Sequence, residues 1–306
     1  MPRILFVKTS SLGDVVHNCP AVSDAARRFP GAEIDWIVEE AFAGVAAMQA
    51  CVRRVMPIAL RRWRNAPWRP AVWTAVGNFR RELAAQRYDE VIDTQSLLKS
   101  ALVAACAHGT RHGMDRASAR EPLAARFYDV VHEVPRALHA VERNRRLTAA
   151  ALGYALDAEV DYGLRPPALT AQAPYAVFLT MTSRAEKLWP EALWVELAHA
   201  VGMPVVLPWG SAAERARAER IARGAAQARL PQRMALDALA SLFANAKAVV
   251  GLDTGLTHLA AALGVPTVGI YCGSNPGLTG LYGLGRARNV GAQGKPPMAN
   301  EVVRAL

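Results

Sequence analysis

Ile4-Leu5-Phe6-Val7-Lys8-Thr9-Ser10-Ser11-Leu12-Gly13-Asp14-Val15 lies at the start of the chain and sets its architecture. Four apolar, β-prone residues lead into a Ser/Gly loop that ends in a carboxylate, and a helical pattern follows from Val15 to Arg28. This is strand, loop and helix, the first half of a βαβ unit. The same unit recurs. Ile34–Val38, Val91–Asp93, Val177–Leu179, Val205–Leu207, Ala248–Leu252 and Thr267–Tyr271 read as strands. Glu191–Val201, Ala213–Gln227 and Leu236–Ala244 read as helices between them. Such alternation predicts an α/β protein with parallel sheets and crossover helices.

Residues 164–174 are proline-rich and aperiodic and sit near the middle of the chain. They predict a linker at 166–174 between an N-terminal domain, 1–165, and a C-terminal domain, 175–306. Two Rossmann-like α/β domains facing across a cleft are expected, with the loops that follow the strands lining it. Glu301–Leu306 reads as the start of a final helix.

At 306 residues and 52% hydrophobic composition, the chain has ample material for buried cores, which excludes a disordered protein. No apolar run approaches the roughly 18–20 residues of a membrane-spanning helix, and Ile4–Val7 is too short for a signal peptide, so a cytoplasmic protein is expected. Cys19, Cys51, Cys106 and Cys272 are scattered, without a CxxC pair or a His at ligand spacing. Reduced, buried thiols are expected, with no disulfide framework and no metal site. The net charge of +10 points to an anionic partner. Between Ala41 and Arg81 eight arginines occur without a single Asp or Glu, interleaved with Trp63, Trp68 and Trp73. Arginine suits phosphate and carboxylate, and tryptophan suits the boundary between water and apolar matter, so an anionic amphiphile fits the segment. A solvated helix with its tryptophans in the core fits it equally well.

Four loops carry candidate chemistry. Lys8–Asp14 is neither GxGxxG nor GxxxxGK[ST], so no dinucleotide cofactor and no P-loop is predicted. It places Asp14 at a helix N-terminus, where the carboxylate is ionised and serves either as a general base or as an ordinary cap. The loop after Val177–Leu179 offers Thr182, Ser183 and Lys187 to a phosphate, with Pro190 placed to start the next helix. Pro208-Trp209-Gly210-Ser211 leads to Glu214, which either accepts from a ribose diol or only complements its helix dipole. Gly251-Leu252-Asp253-Thr254-Gly255-Leu256-Thr257-His258 joins a strand to a helix whose N-terminal N–H groups suit an anion. His258 faces either that anion or the core. Asp-Thr-Gly also marks aspartic proteases, but those need a second copy in an all-β fold.

Together and in this order, Lys8–Val15, Lys187-Leu188-Trp189-Pro190-Glu191, Leu207-Pro208-Trp209-Gly210 and Asp253–His258 resemble glycosyltransferase family 9, the heptosyltransferases of lipopolysaccharide inner-core synthesis. The similarity continues through Arg61-Arg62-Trp63-Arg64, Val91–Ser100, His112-Gly113-Met114-Asp115 and Ala119–Ala124. The resemblance implies a GT-B fold and a metal-independent, inverting transfer of heptose from ADP-heptose to a Kdo residue of Kdo-lipid A. It implies Asp14 as catalytic base. Thr182, Ser183, Lys187, Glu214, Asp253, Thr254, Gly255 and His258 would hold the donor. Ser10, Ser11, Gly13, Arg61, Arg62, Arg64 and Arg120 would hold the acceptor. No cofactor and no nucleic acid is implied, and peripheral contact with the cytoplasmic face of the inner membrane is. The competing readings are the family's transferase of the next heptose and a GT-B sugar-nucleotide epimerase, which would need no lipid acceptor.

Overall fold

The computed structural model describes the chain apart from residues 166, 167, 169–172 and 284. Two compact units are present, Met1–Gly163 and Leu164–Leu306. The linker expected at 166–174 falls for the most part outside the described residues.

The first unit contains strands β1 (Arg3–Val7), β2 (Glu33–Glu39), β3 (Val52–Ile58), β4 (Arg87–Asp93), β5 (His108–Met114) and β6 (Val130–His132). Its helices are α1 (Leu12–Val16), α2 (Cys19–Arg28), α3 (Ala43–Met48), α4 (Leu60–Asn65), α5 (Pro70–Ala84), α6 (Leu98–Ala104) and α7 (Ala140–Leu152). The strands are all parallel, in the order β3-β2-β1-β4-β5-β6. The second unit contains β7 (Ala176–Leu179), β8 (Val205–Val206), β9 (Ala228–Arg229), β10 (Ala248–Leu252), β11 (Thr267–Tyr271) and β12 (Ala287–Gly291). Its helices are α8 (Glu191–Ala200), α9 (Ala212–Gly224), α10 (Leu236–Ala244), α11 (Gly255–Ala262), α12 (Pro276–Thr279) and α13 (Ala299–Ala305). Its parallel sheet runs β12-β11-β10-β7-β8-β9. Counted from each unit's own first strand, both sheets have the doubly wound order 3-2-1-4-5-6.

Central parallel strands are covered on both faces, which is why they read as unbroken apolar runs: Ile4 to Val7 are all buried in β1. The strands that periodicity misses are β3, β5, β6, β9 and β12. Pro57 is tolerated in β3 because β3 is an edge strand. β5 reads as polar because its side chains are satisfied from outside the strand, Arg111 by Asp129 and His112 by Glu90. The helix expected over Val15–Arg28 is two helices. α1 ends at Val16, and α2 starts afresh at Cys19 with Pro20, which has no N–H to donate, in its first turn. Cys19 and Cys272 are buried, whereas Cys51 and Cys106 are only half-buried, so the expectation of uniformly buried thiols does not hold.

The second unit's core is built on Phe178, Trp189 and Trp194, with the two indoles edge to face at 5.0 Å and Trp189 Nε1 donating to Pro297 O at 2.8 Å. In the first unit a buried ion pair joins α2 to α7. Arg145 Nε lies 2.6 Å from Asp24 Oδ2, and its guanidinium also donates to Asp157 O and Glu159 O. Removing one partner leaves the other charged and buried. Asp24→Ala should therefore lower the stability of the first unit by about 3–5 kcal/mol, read as an earlier transition in denaturant with the second unit's transition unmoved.

Candidate active site

In a doubly wound sheet, ligands collect where the chain changes direction across the strand order, because the loops leaving the two central strands diverge and leave their C-terminal ends open. In the first unit that point lies between β1 and β4, and in the second between β7 and β10. Three of the four loops singled out in the sequence sit at these two places, after β1, β7 and β10, and the fourth, Pro208–Glu214, follows β8.

At the first, the Lys8–Asp14 loop is stitched to the loop after β4 by Gln95. Its Oε1 accepts from the Thr9 and Ser10 N–H groups at 2.6 and 3.1 Å, and its Nε2 donates to Ser10 O at 2.5 Å. Lys8 is buried, with Nζ donating to Thr94 O at 2.8 Å and to Asn144 Oδ1 at 3.2 Å. Asp14 is in the first turn of α1. Its Oδ2 accepts from the Ser11 N–H at 2.8 Å and the Ser11 hydroxyl at 3.1 Å, a capping box. Its Oδ1 faces the Arg120 guanidinium at 3.4 Å. One oxygen thus does the capping work and the other is turned to a half-exposed cation. Burial opposes the charge on Asp14, but Lys8, Arg120 and the two Ser11 hydrogen bonds outweigh it and lower its pKa. Lys8 itself is lowered to about 8, first by burial.

Arg120 is positioned through its neighbours: Arg143 donates to Ser118 O at 2.5 Å, and Arg136 donates to Ala119 O. Lys99 Nζ donates to Ser10 Oγ at 2.8 Å. Its pKa is lowered by burial and then by the charge of Arg61, with Arg64 also contributing. Gly13 lies within α1, next to Asp14. Arg61 donates its backbone N–H to Glu39 Oε1 and stacks its guanidinium 5.1 Å from the Phe42 ring centre. Arg64 is exposed. The arginine segment is less positive than its local sequence implies. Arg53 is paired with Asp35, Arg54 with Glu82, and Arg62 with Glu40 through both carboxylate oxygens. The acids come from β2, the residue after it, and α5, all outside the 41–81 window.

At the second switch point, Lys187 Nζ reaches from the loop after β7 to Asp253 Oδ2, after β10, at 2.6 Å. Ser274 Oγ donates to the same oxygen at 2.5 Å, and His258 Nε2 faces Oδ1 at 3.4 Å. Burial opposes the charge on Asp253, yet the hydrogen bonds from His258, Lys187 and Ser274 hold its pKa far below the usual carboxylate range. His258 is buried, with its ring turned to Asp253. Thr254 is the N-cap of α11, with Oγ1 3.2 Å from Thr257 Oγ1. Gly255 opens the helix; the Thr257 and His258 N–H groups donate back to Thr254 O at 3.1 and 3.3 Å, so the N–H groups at its open end are those of Gly255 and Leu256. Gly251 has no room for a Cβ, which would collide with the Thr257 hydroxyl. Thr182 is half-buried and Ser183 exposed on the loop ahead of Lys187. Glu214 stands apart, after β8. Its Oε2 accepts from the Gly210 N–H at 2.6 Å, and Ser211 caps its helix.

The structure therefore gathers Ser10, Ser11, Gly13, Asp14 and Arg120 in one unit, and Lys187, Asp253, Thr254, Gly255 and His258 in the other. Sequence reasoning missed Lys8, Gln95, Lys99, Arg136, Arg143 and Ser274. Lys8, Gln95 and Lys99 lie inside stretches already quoted, but their partners are far along the chain. Among the described residues no group of three or more His, Cys, Asp or Glu is arranged to hold a metal ion. No helix among them is long and apolar enough to cross a membrane.

Two doubly wound α/β units in one chain, each with a polar site at its switch point, are the GT-B fold. The solved E. coli heptosyltransferase WaaC with ADP matches at a TM-score of 0.93 and 44% identity, covering 99% of this chain and 98% of that one. The E. coli enzyme with ADP-2-deoxy-2-fluoro heptose matches at 0.88 and 42% identity, with the same coverage of 99% and 98%. The lipopolysaccharide heptosyltransferase 1 of Pseudomonas aeruginosa is 50% identical over 289 residues, which is 92% of this chain and 81% of the relative. The signature of glycosyltransferase family 9 (heptosyltransferase) matches residues 76–302. The chain belongs to glycosyltransferase family 9.

An amine whose pKa is depressed by folding binds fewer protons folded than unfolded. The stability cost of burying Lys8 is therefore present in full below pH about 8 and is relieved as pH rises toward the unfolded value. Lys8→Met removes its field from Asp14. The Asp14 carboxyl, followed by carbon NMR, should then titrate at higher pH than in the wild type; an unmoved midpoint would show that Arg120 and Ser11 hold it alone.

Proposed function

We propose that this chain moves L-glycero-D-manno-heptose from ADP-heptose to a Kdo residue of Kdo-lipid A, with inversion, in lipopolysaccharide inner-core synthesis. The observation that carries the reading is Asp14, a carboxylate kept ionised by Lys8 and Arg120, with one oxygen committed to Ser11 and the other turned to an exposed arginine. An acceptor hydroxyl that displaces Arg120 from Oδ1 meets a base already in its charged form. The names of the relatives supply the substrate class, and the basic groups around Asp14 suit an acceptor that carries carboxylates and phosphates.

In this reading the acceptor oxygen attacks the anomeric carbon as the bond from that carbon to the ADP oxygen breaks. Asp14 takes the hydroxyl proton, and ADP leaves with the bonding electrons. Ser10, Ser11 and Gly13 shape the acceptor side, and Arg61, Arg62, Arg64 and Arg120 bind its acidic groups. In the second unit Thr182, Ser183, Thr254, Gly255 and the start of α11 hold the diphosphate. Lys187, oriented by Asp253, meets the charge that grows on the leaving group, and His258 supports Asp253. Glu214 accepts from the ribose hydroxyls with the oxygen that Gly210 leaves open. Because the acceptor is a lipid, the protein works as a peripheral protein on the cytoplasmic face of the inner membrane. No cofactor and no nucleic acid takes part.

ADP release from ADP-heptose should depend on a Kdo-bearing lipid A acceptor. It should fall by about 10²–10⁴ in Asp14→Asn, with ADP affinity retained by calorimetry. Release indifferent to the acceptor would overturn the transferase assignment in favour of donor-only chemistry. Lys187→Gln should lower kcat by about 10²–10³ and also weaken ADP binding, which Asp14→Asn should not do.

A further inference from the structure

The α4–α5 hairpin is attached to the first unit at one end only. No residue of α4 is buried, and in α5 only Phe79 and Leu83 are. Trp63 packs edge to face on Phe79 and, with Leu60, completes the hold on the core. From Asn65 to Phe79 the sequence contains a single charged residue, Arg69, and Trp68 and Trp73 are 76% and 66% exposed. Trp73 donates its Nε1–H to Pro67 O, which ties the two ends of the tip together. Large aromatics left this open, two within six residues, are rare on a soluble surface. Arg61 and Arg64 precede the tip, and Arg80 and Arg81 follow it. None of these four, nor Arg69, has an ion-pair partner among the described residues, in contrast to Arg53, Arg54 and Arg62.

The hairpin also has a defined direction. α4 begins two residues after the C-terminal end of β3, and the Arg61 N–H is tied to Glu39 at the end of β2. The hairpin therefore starts at the C-terminal end of the parallel strands, the end after which Asp14 also lies, while Phe79 and Leu83 return α5 to the core.

We propose that the Ala66–Trp73 tip is a membrane-docking element. Trp68 and Trp73 enter the interface of an anionic phospholipid bilayer, and Arg69, Arg80 and Arg81 lie on its headgroups. Indoles favour the headgroup boundary, and arginines beside them supply attraction to negative lipid, so the two residue types together select a charged bilayer over a neutral one. The inference rests on the lipid-acceptor reading above and adds to it the surface by which the first unit meets the bilayer from which the acceptor would be drawn.

The test uses the full chain and vesicles of phosphatidylethanolamine with phosphatidylglycerol, compared with phosphatidylcholine alone. The wild type should co-sediment with the anionic vesicles, more weakly as salt rises, and brominated lipid should quench part of its tryptophan emission. The double variant Trp68→Ala/Trp73→Ala should bind at least about tenfold more weakly and lose that quenching. It should keep transfer to a deacylated, water-soluble Kdo acceptor within about twofold, which shows that it is folded. Equal binding to both vesicle types, or a double variant that binds like the wild type, would overturn the proposal. So would a concentration-dependent dimer that the double variant abolishes, since the tip would then be a contact between copies. Vesicle binding is read without any sugar and decides the docking surface alone. Transfer to the soluble acceptor decides the enzyme reading alone.

Discussion

In each unit two neighbouring parallel strands send their following loops in opposite directions, and the polar sites depend on that divergence. β1 and β4 leave their C-terminal ends uncovered, as do β7 and β10, so backbone groups there must find partners among loop side chains. Gln95 does this for Thr9 and Ser10, and Lys8 does it for Thr94. In the second unit Lys187 and Asp253 span the same kind of gap. The sheet order thus comes first, and the charged groups are placed by it.

The two units set a lysine beside an aspartate with opposite results. In the second, Lys187, Ser274 and His258 converge on Asp253 and occupy both of its oxygens, which leaves the carboxylate as an orienting group with little capacity to take a proton. In the first, Lys8 hydrogen-bonds to Thr94 and Asn144 and acts on Asp14 only through its field. Asp14 is kept charged without being saturated. An ionised carboxylate with one oxygen held only by a weak contact to an exposed arginine has a lone pair open to an incoming proton, which the proposed base role of Asp14 requires, and capping by the other oxygen is compatible with it.

Much of the site was legible because loops that follow strands are short and their residues are consecutive. Ser10 to Asp14 and Asp253 to His258 are contiguous in the chain, and their chemistry follows from residue type and a helix start. What resisted reading was whatever depends on a distant partner. The arginine segment looked uniformly positive because Asp35, Glu40 and Glu82 lie outside it in sequence and against it in space. Lys8 looked like an ordinary loop residue until its burial beneath Asn144 gave it a purpose. β5 looked like no strand at all, since its polar side chains are paid for by Asp129 and Glu90.

By itself the sequence determined the α/β class, the central strands β1, β4, β7, β10 and β11, and the loops that carry Asp14, Lys187 and Asp253. These are local properties: apolar runs of strand length, glycine and hydroxyl loops, and helix starts. Only the tertiary structure decided which lysine touches its aspartate and which acts at a distance, which arginines are neutralised, and that Trp63 enters the core while Trp68 and Trp73 stay outside it. Those outcomes depend on which segments parallel pairing brings together. Residues 35 and 53, 8 and 144, or 187 and 253 become neighbours only when the sheets form, and no local pattern encodes the distance between them.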